Sequence, residues 1–277
     1  MVRSRRPDQL DGFTGPALQA RLQKLMGYYY AGAGAVDFKP KDRQLWPRAK
    51  AQLRLESFGK CAYCEADTAV VAHGDVEHFR PKSRYWWLAY CYDNYSFSCQ
   101  VCNQVYKGDR FDVAGRPLVP PSLPAAWPDD PAERARLAAA LCPDPAASND
   151  RTLGRWLAAE RADLPDPYLD DPERLFAWKV IAATQEVWLV ARGTSARARR
   201  AVKAAETVLG LNRTELLRLR WNDYDELETL ALALQEGRMA DDAKRRLLDR
   251  LRRHAGSDRP FAGMRRFFMR GWGLLEG

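Results

Sequence analysis

Hydrophobic spacing divides the chain into helical ends and an irregular middle. Over 16–30, Leu18, Leu22, Leu25 and Met26 recur on one helical face, and AGAGA at 31–35 ends that pattern. A second helix is predicted over 42–57, with Trp46, Ala49, Leu53 and Leu55 as apolar positions and Gly59 as its C-terminal cap. Between 61 and 111 no helical period persists. There VVAHGDVEHF reads as a strand, a turn at Gly74 and a second strand, and 101–110 as the start of a helix. On that helix Asn103 and Lys107, at i and i+4, face the same side. The proline-rich stretch 112–131 predicts a loop-rich connector, 131–142 an alanine-rich helix, and LPDPYLDDPE from 164 a further joint.

Residues 175–191, LFAWKVIAATQEVWLVA, alternate and are rich in β-branched and aromatic side chains. A hairpin turning near Thr184-Gln185-Glu186 is the preferred reading, a buried helix the alternative. Helices follow. RARRAVKAAETVLGL runs to Gly210; the next helix is capped by Asn212 with Glu215 completing a capping box and runs to about Gly237; then come MADDAKRRLLDRLRRHA and a short end piece, FAGMRRFFMRGWG. The first sixteen residues read as a loose leader. The expectation is an α+β chain, mostly helical, in four parts: an N-terminal helical segment (1–59), a cysteine-bearing core (60–112), a Pro/Ala-rich connector (113–170) and a helical C-terminal region with the hairpin (171–277).

Composition adds compartment and charge. With 46% hydrophobic and 29% charged residues the chain is expected to fold. No run of about 18 apolar residues predicts a membrane span. The basic N-terminus has no apolar stretch behind it, so no secretory signal is expected and residence is expected to be cytoplasmic. The net charge is +8, and residues 192–270 carry all of it, with 19 Lys/Arg against 11 Asp/Glu. Such a basic module suits a polyanionic substrate. Its clusters Arg197/Arg199/Arg200 and Lys244/Arg245/Arg246 read equally as a nucleic-acid surface, a docking surface or solvated helix faces.

Four of the six cysteines form two Cys-x-x-Cys pairs, Cys61/Cys64 and Cys99/Cys102. In a cytoplasmic chain this spacing favours a closed tetrahedral zinc site over disulfides. A metal clip offsets the entropy of closing the loop 65–98. Four sulfurs leave no open position, so this zinc is expected to be structural. Cys91 and Cys142 read as small buried hydrophobes, His73 and His254 as ordinary residues, and Trp86, Trp87 and Tyr90 as core rather than base-stacking groups.

Inside the staple lies Glu77-His78. Phosphodiester hydrolysis needs a proton acceptor for the attacking water, a counter-charge for the phosphate and stabilisation of the leaving oxygen. An imidazole suits the first task near neutral pH. A divalent ion on a carboxylate and an amide oxygen suits the others. His78 is the candidate base, Glu77 and Asn103 the candidate ligands of a catalytic ion, and Asn94 either fixes the His78 ring or holds the backbone of its loop. Arg80, Lys82, Lys107 and Arg110 are candidate phosphate contacts.

Cys-x-x-Cys, Glu-His, Asn, Cys-x-x-Cys-Asn, Lys resembles the HNH endonuclease family in its zinc-stapled ββα-metal form. The resemblance implies that 60–112 is the nuclease core, that His78 activates water, that Glu77 and Asn103 bind Mg²⁺ or Mn²⁺, and that Asn94 positions the histidine loop. Two positions depart from the commonest pattern: Glu77 where Asp is usual and Asn103 where His is frequent. KCAYCE (60–65), VEHFRPK (76–82), CNQVYKGDRF (102–111) and VLGLNRTEL (208–216) resemble PtuB-type HNH proteins over roughly 45–220. That likeness implies a nuclease of an antiphage defence system of the Septu kind, acting on nucleic acid beside a PtuA-type ATPase partner. A zinc-ribbon module that binds nucleic acid or an ATPase without chemistry is the alternative.

Overall fold

The computed structural model describes residue 6 and residues 12–68, 72–145, 147, 150–157, 159–236 and 239–276. Helix α1 (Gly15–Ala31) buries Leu18, Leu22, Leu25 and Met26 on one face. The predicted second helix is a 3₁₀ turn, Trp46–Ala49, running into α2 (Lys50–Glu56). It ends where Gly59, at φ +75°, returns its N–H to the Arg54 carbonyl. Leu53 is buried there but Leu55 faces solvent.

The central sheet departs from expectation. Strand β1 (Asp75–His78) pairs antiparallel with β2 (Tyr95–Ser98), not with a strand before Gly74. Residues 72–74 carry no strand, and 69–71 lie outside the described residues. Gly74 is the entry to β1: at φ +59° a Cβ there would sit 2.2 Å from the Phe97 ring. The excursion between the strands buries Tyr85, Trp87, Leu88, Tyr90 and Tyr92. Beyond β2 the chain enters a π-helix, Val101–Lys107. The connector supplies α3 (Pro131–Ala139), capped by Asp130, and α4 (Asp150–Leu157).

The predicted hairpin is present. Strand β3 (Phe176–Ile181) pairs with β4 (Glu186–Ala191), and the turn is closed by Gln185 in the left-handed region. Helix α5 (Ala196–Thr207) is capped by Ser195. Then follow α6 (Thr214–Gln235), α7 (Asp241–His254) and α8 (Ala262–Gly271), the last in the predicted end piece. Asn212 does not cap α6. Its amide instead accepts from the Leu189 N–H (2.9 Å) and donates to the Leu189 carbonyl (3.0 Å), substituting for a neighbouring strand on β4.

One apolar cluster runs from Phe13 through the cysteine core to Met264, and a smaller one joins α6, α7 and α8 at Leu227, Leu234, Leu251 and Met269. The leader is not loose at Arg6. Its guanidinium lies 3.4 Å from the Tyr168 ring, donates to the Tyr95 carbonyl at 2.7 Å and meets Glu56 at 3.3 Å. Among the described residues no helix is long and apolar enough to cross a membrane.

Candidate metal centre and active site

The first cysteine pair sits in a tight turn closed by Cys61 N–H to the Ala66 carbonyl and Glu65 N–H to the Cys61 carbonyl. β2 delivers the second pair to the mouth of the π-helix. A bond from Ala62 N–H to the Phe97 carbonyl (2.9 Å) holds the two turns together. The four sulfurs lie within 4.8 Å of one another, Cys64 and Cys99 at 4.0 Å. A tetrahedron with Zn–S near ~2.3 Å has sulfur separations of about 3.8 Å, so the set fits zinc with a small contraction. Burial pushes the Cys61 thiol up, and four thiolates coexist in such a volume only around a cation.

Glu77 and His78 are neighbours on β1, so their side chains leave opposite faces of the strand. Both are buried. The Glu77 carboxylate meets the Lys107 ammonium at 2.5 Å, and the same ammonium donates to the His78 carbonyl at 3.0 Å. Burial raises the Glu77 pKa, with Lys107 opposing. The His78 ring stands edge-on to Trp46 (4.9 Å) and Tyr95 (5.0 Å), and its Nε2 lies 3.2 Å from the Ala89 carbonyl, which also accepts from the Tyr95 hydroxyl. Burial, then the positive charges of Lys82 and Lys107, lower the His78 pKa to about 3, while the Ala89 bond resists. The ring is therefore neutral at physiological pH.

Asn94 touches backbone rather than the ring. Its Oδ1 accepts from the Arg80 N–H (2.8 Å) and its Nδ2 donates to the Arg80 carbonyl (2.9 Å). This two-way clasp fixes the turn that leaves His78. Asn103 is half-buried one residue past Cys102, and its carbonyl accepts from Gly108 in the i→i+5 pattern of a π-helix. Asn103 and Lys107 thus fall within one wide turn. The structure gathers Glu77, Lys107 and the His78 backbone into one cluster, and the imidazole lies on the other face of the strand.

The four candidate phosphate contacts divide. Arg80 is buried, donating to Glu160 at 2.7 Å, and Lys107 is buried on Glu77. A phosphate reaches either one only by displacing a carboxylate. Lys82 is half-buried beside Trp46, and Arg110 is exposed, donating to the Thr207 carbonyl. Arg197 and Arg200 are partly neutralised by Asp170 and Asp163, and Arg245 and Arg246 by Asp242.

Sequence reasoning passed over Trp46, Tyr95 and Glu160, which meet the site from elsewhere in the chain. It also passed over Arg213, whose Nη1 lies 3.7 Å from the Cys102 sulfur. The motif VLGLNRTEL was the available signal for Arg213. Gly210 within it, at φ +59°, packs so closely on Tyr106 of the π-helix that a Cβ would sit 2.2 Å from the ring.

The chain is similar to the Septu protein PtuB of Bacillus mycoides (strain KBAB4), at 37% identity over 68 residues. The match covers 20% of this chain and 23% of that protein. No family model matches the chain, and no solved structure matches it.

Proposed function

We propose that this protein is a metal-dependent endonuclease of the HNH type, cutting phosphodiester bonds of nucleic acid with DNA as the favoured substrate. Its setting in this reading is an antiphage defence system, beside a PtuA-type ATPase. The supporting observation is the Asn94 clasp: a buried amide spends both its groups on the backbone two residues past His78, inside a four-cysteine frame. A plain zinc ribbon needs neither Glu77 nor His78 beside that clasp. The partial likeness to a Septu PtuB protein points the same way.

In this reading zinc on Cys61, Cys64, Cys99 and Cys102 shapes the loop, and Glu77 with Asn103 would hold Mg²⁺ or Mn²⁺. The divalent ion supplies the counter-charge for the phosphate and the leaving oxygen. His78, neutral at pH 7, takes the proton of the attacking water, which requires the Glu77 carboxylate and the imidazole, on opposite faces of β1 here, to reach one phosphate at the end of the strand. A pKa of about 3 makes a weak base; a phosphate bound beside the ring supplies negative charge and raises it. Lys107 must leave Glu77 before the carboxylate can accept a second cation.

The second reading, a zinc-ribbon binding module without chemistry, is favoured by the burial of Glu77 and His78 behind Lys107 and Trp46. Cleavage of plasmid DNA, single-stranded DNA and RNA with Mg²⁺ or Mn²⁺ separates the two. Wild type is expected to cut and His78→Ala to lose at least about 100-fold in rate. Equal rates would remove His78 as the base. Binding that survives in His78→Ala, with no cleavage by either protein under either ion, would establish the ribbon.

A further inference from the structure

One arginine, Arg213, lies beside the four sulfurs and a second, Arg220, is buried further along the same helix; among the described residues neither pairs with a carboxylate. Arg213, at the head of α6, places Nη1 3.7 Å from the Cys102 sulfur, while donating to the Gly210 carbonyl at 3.1 Å. Arg220, two helical turns on, is 1% exposed. It donates to the Leu211 carbonyl at 2.7 Å and lies 4.8 Å from the Trp178 ring. Cys102, Cys64 and Cys99 act electrostatically on Arg213; Cys64, Glu65 and Cys102 act on Arg220, and the Arg213 charge opposes it.

Holding one buried and one half-buried cation on the same helix is costly unless an anion answers them. Zinc with four thiolates is such an anion, with a net charge of about −2. We infer that Arg213 is a counter-charge of the tetrathiolate zinc centre, with the buried charge of Arg220 on the same helix adding to its field, so that α6 forms part of the metal site although it contributes no ligand. The role of Arg213 is electrostatic and orienting: its fork donates toward a ligand sulfur, while Arg220 is held on the Leu211 carbonyl and the Trp178 ring. The inference rests on the zinc reading of the cysteines and is independent of nuclease activity.

Zinc content and dye-monitored zinc release to a chelator test it in the full-length chain, with Arg218→Gln, on the exposed face of α6, as control. Wild type is expected to hold one zinc per chain. Arg213→Gln is expected to release it about 10-fold faster or more, Arg220→Met by a smaller factor, and Arg218→Gln at the wild-type rate. Arg213→Lys keeps the charge and is expected to recover most of the loss. Should Arg220→Met fail to fold, half-buried Arg213 decides the matter alone. With Co²⁺ in place of zinc, the sulfur-to-metal charge-transfer band is expected to shift in Arg213→Gln and not in Arg218→Gln, a response that simple loss of packing does not produce. Wild-type release rate and an unmoved band in Arg213→Gln overturn the inference while the zinc staple stands. A wild-type chain without zinc removes the staple and the inference together.

Discussion

His78 keeps its ring in an apolar corner made by Trp46 and Tyr95. The corner has a thermodynamic signature. The unfolded chain takes up a proton at this residue near pH ~6.5, whereas the folded protein refuses it until about 3. The stabilisation is therefore complete above ~6.5 and lost as pH falls through the window down to about 3, by at most about 1.4 kcal/mol per unit. Denaturant unfolding of wild type and His78→Gln in parallel is expected to show the two stabilities converging below pH ~6.5 at roughly that slope. Parallel curves would mean that the ring is hydrated. Groups that titrate in both proteins cancel in the comparison. At this scale the residue types of the candidate site were legible, because Glu-His, Asn and the paired cysteines announce themselves by spacing. Their partners were not. Lys107 on Glu77 and Glu160 on Arg80 are contacts across 30 to 80 positions, and these two of the four candidate phosphate contacts spend their charge inside the fold.

Among the elements, the hairpin of β3 and β4 was readable because its period and its turn are local. The pairing of β1 with β2 was not, since the partner lies beyond the aromatic excursion and Gly74 mimics a turn. The Asn212–Glu215 spacing misled for a related reason. A capping box is a local pattern, and here a distant strand edge offers Asn212 two backbone partners at once. Replacing Asn212 by Ala strands a buried N–H and C=O on Leu189, at about 1–3 kcal/mol each. A loss of roughly 2–4 kcal/mol in urea unfolding is expected, and Asn212→Asp, which turns a second acceptor on the Leu189 carbonyl, is expected to lose no less. A change within a few tenths would show that solvent reaches those groups.

Over the whole molecule, the cysteine frame and the C-terminal helices share one apolar cluster, and they touch at Tyr106 with Gly210 and at Cys102 with Arg213. Stripping the metal is therefore expected to loosen more than the two cysteine turns. Hydrogen exchange after chelation should show amides of α5 and the first half of α6 losing protection together with those of 60–67 and 99–107. Protection retained in α6 while the turns open would mean that the halves fold independently. The basic excess of 192–270 was legible as a number, but three acids from outside it, Asp163, Asp170 and Glu173, prove to be paired with Arg200, Arg197 and Arg266.

The distance along the chain between the thiolates and α6 has a consequence for how the molecule is made. Cys102 and Arg213 stand 111 residues apart. A ribosome adding about 5–20 residues per second needs roughly 6–22 s to bridge that interval. For that time all four thiols have been synthesised while the helix that closes over them has not, so the nascent protein meets the cell's metals and oxidants with its most reactive groups uncovered.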